Sequence, residues 1–135
     1  MKKVPIFIST AVISVGLLMV TAPSASAAGT GCTVEGGYGT WSGTWASSTT
    51  LDPLVLGVTD VSADGHHVGV QLVTKTNAGA YKSWPWHEIY GGQGDDGAWS
   101  TSAYDSAGIA AATVNVGTFE GSHLIVSGYC GWQYR

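Results

Sequence analysis

Between Gly37 and Trp132 no stretch of this chain holds a helical period, and that absence constrains the fold more than any other feature. Short runs rich in Val, Thr, Trp and Tyr alternate instead with clusters of Gly, Asp, Asn and Ser. Seven runs can be read, at 37–46, 54–61, 66–75, 80–90, 98–104, 109–119 and 123–132. In the third, Val68, Val70 and Leu72 share a face; in the seventh, Leu124, Val126 and Cys130 do. Ser62-Ala63-Asp64-Gly65, Thr76-Asn77-Ala78-Gly79 and Glu120-Gly121-Ser122 read as tight turns. Pro53 is expected to open a strand rather than sit inside one, and Pro85 marks the fourth run as an edge strand or a bulge. Ala110-Ala111-Ala112 could start a helix, but Val114 and Val116 restore the strand pattern. Seven short strands at turn-marked intervals predict an all-β domain: a single antiparallel β-sandwich, immunoglobulin-like in architecture, or a small barrel.

The ends of the chain add a compartment and a staple. Lys2 and Lys3, an apolar run over 6–20 and Ala25-Ser26-Ala27 have the form of a secretory signal peptide, with cleavage predicted after Ala27. An exported chain meets an oxidising environment, so the only two cysteines, Cys32 and Cys130, are predicted to form one disulfide. That bond ties the first strand to the last, unlike the inner-strand cysteines of immunoglobulin domains. Gly29-Thr30-Gly31 before Cys32 does not resemble a lipid-attachment site, so a released, extracellular protein is expected. The predicted organisation is a signal over 1–27, a flexible lead over 28–31 and one β domain over 32–135.

Cleavage removes 27 of 135 residues and two of the five cations but none of the nine acids, so the net charge moves from −4 to −6. Val, Ile, Leu and Phe then supply only 19 of 108 residues, below the roughly 20% at which a packed core becomes difficult. Six Trp and six Tyr offset the shortage, because each can bury about 150–250 Å². Three scattered cations (Lys75, Lys82, Arg135) give no electrostatic footprint for nucleic acid or anionic membrane. No apolar run after Ala27 is long enough to span a bilayer, and a monomer is expected.

A cleaved signal, a Gly-, Ala- and Thr-rich β domain, few lysines and one long-range disulfide resemble the small secreted β-rich proteins of filamentous soil bacteria. The likeness spans the mature chain in style and implies no functional residue. Gly39-Thr40-Trp41 resembles the G-x-W opening of the avidin and lipocalin barrels, and nothing else in the chain extends that pattern.

The densest concentration of chemistry runs from Tyr81 to Tyr90. In an uninterrupted strand Lys82, Trp84, Trp86, Glu88 and Tyr90 share one face, and Tyr81, Ser83, Pro85, His87 and Ile89 the other. Aromatic rings beside hydrogen-bonding groups suit a sugar ring or a peptide, which makes Trp84, Trp86, His87, Glu88 and Tyr90 the candidate ligand-binding residues. Trp41 and Trp45, about 13 Å apart on an extended strand, are expected in the core. His66 and His67 point opposite ways, and nothing in the sequence brings His67, His87 and His123 together as zinc requires. Asp95-Asp96 sits in the glycine-rich stretch 91–97 without the ligand spacing of a calcium loop. No G-x-S-x-G or H-E-x-x-H occurs, His87 and Glu88 face apart, and Glu35, Glu88 and Glu120 are the only glutamates that could form an acid–base pair. No catalytic residue, metal or cofactor is therefore predicted. The expected function is non-catalytic recognition of a polysaccharide or an extracellular protein through exposed aromatics. The alternatives are an enzyme inhibitor or toxin-like effector acting through loop 91–97 or 47–50, and a structural cell-surface protein assembled through its low-charge strands.

Overall fold

The computed structural model describes residues 25–135, and the predicted signal up to Ser24 lies outside them. Nine strands follow in order: β1 (Ser26–Val34), β2 (Gly37–Trp45), β3 (Thr50–Asp60), β4 (His67–Lys75), β5 (Tyr81–Ile89), β6 (Asp96–Tyr104), β7 (Ala111–Glu120), β8 (His123–Tyr129) and β9 (Gln133–Tyr134). They form two sheets, ordered β1-β2-β3-β6 and β5-β4-β7-β8, with β9 continuing the β8 edge against β7. All pairings are antiparallel, and the sheets stack as an open sandwich rather than closing into a barrel. No helix occurs among the described residues, and Ala111-Ala112 are strand.

The extra strand beyond the seven expected at full length is β1. Residues 28–31, predicted as a flexible lead, pair with β2 from Ala28↔Gly43 to Gly31↔Thr40. Their alternation was hidden because Gly, Thr and Ala carry little hydrophobic signal; what orders them is the ladder against β2. Pro53 also departs from expectation. It lies within β3, between β2 and β6, where the β3–β6 register shifts between Leu51 and Leu54. An exposed bulge accommodates the missing donor there.

Inner faces follow the two-residue period. Trp41, Leu54, Leu56 and Val58 of the first sheet meet Val68, Val70, Leu72, Val114 and Val116 of the second. Trp41 and Trp45 are core, as expected, packed edge-to-face with ring centroids 6.3 Å apart. Gly39 lets the sheets approach, since a Cβ there would run into the Val116 side chain. Cys32 on β1 and Cys130 just after β8 form the predicted disulfide, joining the sheets at one open edge. One expected face is split: a register shift between Thr118 and Phe119 sends Leu124 outward over Gly117, while Val126 pairs with inward-facing Thr118.

The stretch 91–97, expected to be the most flexible, is shorter and better held. β6 starts at Asp96, the Asp60 N–H donates to the Asp95 carbonyl while the Asp60 carbonyl accepts the Gly94 N–H, and Asp95 Oδ2 accepts the Gly91 N–H at 2.9 Å.

Two outcomes test this packing. Replacing both cysteines by serine should lower unfolding stability by about 2–5 kcal/mol in urea titration, and a loss under about 1 kcal/mol would contradict the staple. Gly39→Ala should cost about 1–3 kcal/mol through overpacking. Adding Val116→Ala should recover part of that loss relative to the sum of the single changes.

Candidate functional site

In a two-layer sandwich the outer face of a sheet meets solvent, yet β7 is buried along nearly its whole length on both faces. Its outward residues are Ala111, Thr113, Asn115, Gly117 and Phe119, each opposite an outward residue of β4. Side chains from β5, β8 and the C-terminal segment cover them, and that cover is the candidate site.

Near the end of the sheet where β4 begins, Gly69 and Gly117 stand directly opposite each other. Glycines in mid-strand mark places where something approaches the backbone closely. A Cβ on Gly117 would lie 2.8 Å from Leu124 Cδ1 and 2.9 Å from the Trp86 ring; one on Gly69 would lie 3.0 Å from Glu88 Cγ and 3.1 Å from the Phe119 ring. Trp86 therefore lies low across the sheet, edge-to-face with Phe119 at 5.1 Å. His67 stacks on Phe119 at 5.2 Å and against Tyr90 at 4.4 Å. Its ring N–H donates to Glu88 Oε1 at 3.0 Å, because an ionised carboxylate can only accept. The Tyr90 hydroxyl donates to Glu88 Oε2 at 3.4 Å. These groups, with Gly121 and Ser122, line an open hollow of about 560 Å³. Tyr90, 71% exposed, forms its outer wall.

At the other end of the same face the Lys75 ammonium lies over three rings: Tyr81 at 5.1 Å, Trp132 at 5.2 Å and Tyr134 at 5.5 Å. Tyr129 stacks on Trp132 at 6.5 Å. Lys75 Nζ donates to the Tyr134 hydroxyl at 3.4 Å, and that bond holds the ammonium above the ordinary lysine range. Between the ends the face is polar. Asn115 Nδ2 donates to Gln71 Oε1 at 3.4 Å, while buried Asn115 Oδ1 has no partner among protein groups. From His67 to Lys75 the face is about 27 Å long at the usual strand rise.

The five candidates read from the sequence divide between two places. Trp86, Glu88 and Tyr90 share the outer face as expected. Trp84 and Lys82 do not share it, because β5 bulges where its pairing with β4 shifts between Gln71 and Val73, at Trp84-Pro85. Trp84 turns toward the core edge and donates its indole N–H to Thr74 at 3.0 Å, with Lys82 Nζ 4.2 Å above its ring. His87 lies 4.9 Å from the Trp99 ring. Trp84 and His87 line a separate pocket of about 290 Å³ at the β5–β6 seam, floored by Leu54, Leu56 and Leu72.

Phe119, Lys75, Tyr129, Trp132 and Tyr134 were not singled out as binding residues from the sequence; Tyr81 was read only as part of the 81–90 cluster and His67 only as a possible zinc ligand. Two signals pointed to some of them: the hairpin at 76–79, closed by the Thr76 N–H on the Ala80 carbonyl, sets Lys75 opposite Tyr81, and Gly69 and Gly117 interrupt strands that otherwise carry side chains. Among the described residues no three His, Cys, Asp or Glu side chains gather as a metal site. The carboxylate of Asp95 is engaged within its own loop, and His66 faces away from His67, toward Asp64 at 3.7 Å and Glu120 at 3.9 Å.

The chain matches no known family model, no curated protein and no solved structure.

Gly117→Val should lift Trp86 and Leu124 off the sheet and increase acrylamide quenching of tryptophan fluorescence. An unchanged signal, or the same increase in a Trp86→Phe background, would contradict this placement.

Proposed function

We propose that this chain is a secreted, non-catalytic recognition domain that holds a carbohydrate on the outer face of its second sheet. The observation that carries the reading is the hollow at Trp86, where an oriented carboxylate is ringed by four aromatic side chains. A sugar ring has an apolar face of C–H groups and a rim of hydroxyls. The indole of Trp86 and the ring of Tyr90 offer apolar area for the first, at low entropy cost, over a buried Phe119 that supports them. Glu88, with both oxygens already oriented by His67 and Tyr90, accepts from the second. The half-buried Gln71 amide, held by Asn115 at 3.4 Å, extends the same chemistry along the face.

The open shape favours binding over turnover, since it leaves a bound chain in contact with water. Secretion is supported by the basic, apolar and A-x-A sequence of the N-terminus together with a disulfide that suits an oxidising compartment. Four of the six exposed tyrosine side chains (Tyr81, Tyr90, Tyr129, Tyr134) lie on this face or at its rim.

Retention on a panel of insoluble polysaccharides tests the reading. Trp86→Ala and Tyr90→Ala should each weaken retention about tenfold or more, the scale of losing an aromatic anchor. Tyr104→Ala, which removes an exposed ring from the first sheet, should leave retention intact. Full retention by both outer-face variants, or equal loss in the Tyr104 variant, would overturn the assignment.

A further inference from the structure

We propose that the Lys75 cluster is a subsite for an acidic sugar, a uronate residue of the polysaccharide held on this face; the inference rests on the carbohydrate reading above. Three observations lead to it. The first is an ammonium without a counter-charge: among the described residues no carboxylate lies within 4.0 Å of Lys75, although the chain has nine acids. The second is that this ammonium is fixed in place. Three rings surround it and the Tyr134 hydroxyl accepts one of its protons, which leaves two donors to present outward. The third is that the rings are accessible, with Tyr81 and Tyr134 each 65% and Tyr129 60% exposed.

A uronate supplies the complement to all three. Its carboxylate meets the ammonium in a charge-assisted hydrogen bond, and its ring lies on Trp132 or Tyr81. A cationic ligand is disfavoured because the protein's own ammonium already occupies the space between the rings. A bare phosphate would use the charge and leave the rings without a role. The charge layout agrees. Lys82 pairs beside Lys75 through Thr74, and Arg135 follows Tyr134, so all three described cations gather at this end. Of the acids, only Asp52 and Asp105 belong to this end. Glu35, Asp60, Asp64, Glu88, Asp95, Asp96 and Glu120 belong to the other.

The test is titration calorimetry with oligogalacturonate and with the same oligomer after carboxyl reduction, which keeps length and linkage but removes the charge. Wild-type protein should bind the acidic oligomer about tenfold more tightly than its reduced counterpart. Lys75→Met should bring the affinities for the two oligomers to within about twofold of each other, and Lys75→Arg should keep most of the difference. Trp86→Ala should weaken both oligomers alike and preserve their ratio. Equal binding of the two oligomers by wild type, or a preference that survives Lys75→Met, overturns the subsite and leaves the carbohydrate reading intact. The subsite is overturned in the same way if neither oligomer binds while another polysaccharide is retained through Trp86. If no polysaccharide binds at all, both fall.

Discussion

The structure depends on covering strand β7. It is an inner strand of the second sheet, flanked by β4 and by the β8–β9 edge, and it has neighbours on both faces although the fold has only two layers. The inner cover is ordinary: Val114 and Val116 meet the first sheet, and Gly39 lets it come close. The outer cover must come from side chains, because no third layer exists to supply it. Trp86 reaches over from β5, Leu124 from β8, and Phe119 lies along β7 itself. Of these covering groups, Trp86 and Leu124 also reach solvent, while Phe119 is buried beneath them. Under the proposed function this would tie stability to recognition: rings fixed by packing before a ligand arrives lose little ordering entropy on binding.

The disulfide extends this dependence to the far end of the face. β8 and β9 are two pieces of one edge, interrupted at 130–132. Cys130 turns inward to reach Cys32, and Thr113 Oγ1 donates to the carbonyls of Cys130 and Gly131 at 3.0 and 3.2 Å. The chain then resumes pairing at Gln133, which places Trp132 and Tyr134 beside Lys75. The covalent staple therefore does more than shrink the unfolded ensemble. It sets the register of the segment that builds the Lys75 cluster.

Much of the architecture was legible because side-chain alternation is a local property. β2, β4 and β7 each carry enough Val, Leu or Trp on one face to declare their period, and turn residues separate them. What stayed hidden was non-local or irregular. β1 is built of Gly, Thr and Ala and is ordered by β2 rather than by its own pattern. Period-two counting fails at a bulge, because one extra residue exchanges the two faces for everything beyond it. That happens at Trp84-Pro85, where Pro85 signalled a bulge but not its effect on facing, and again beside Leu124. Half of the candidate site survived because Trp86, Glu88 and Tyr90 lie on one side of the first bulge. The Lys75 cluster joins residues from β4, β5 and the C-terminus, and only the cross-strand register brings them together.

The sequence showed nine acids and three scattered cations after residue 27, and the fold changes what that charge means. Antiparallel strands return the turns that carry most of the acids to one end and the cations to the other. Along β4 the two ends are about 27 Å apart. The Debye length at physiological ionic strength is about 8 Å, so each end acts on a ligand through its own local charges and the net charge hardly reaches across. A flexible polymer laid along the second sheet would then meet an oriented carboxylate at Glu88, a neutral amide at Gln71, and a fixed ammonium at Lys75. Such a face has a direction. A chain whose residues differ in charge would fit it in one orientation and not in the reverse, because reversal sets carboxylate against Glu88 and leaves Lys75 without a partner.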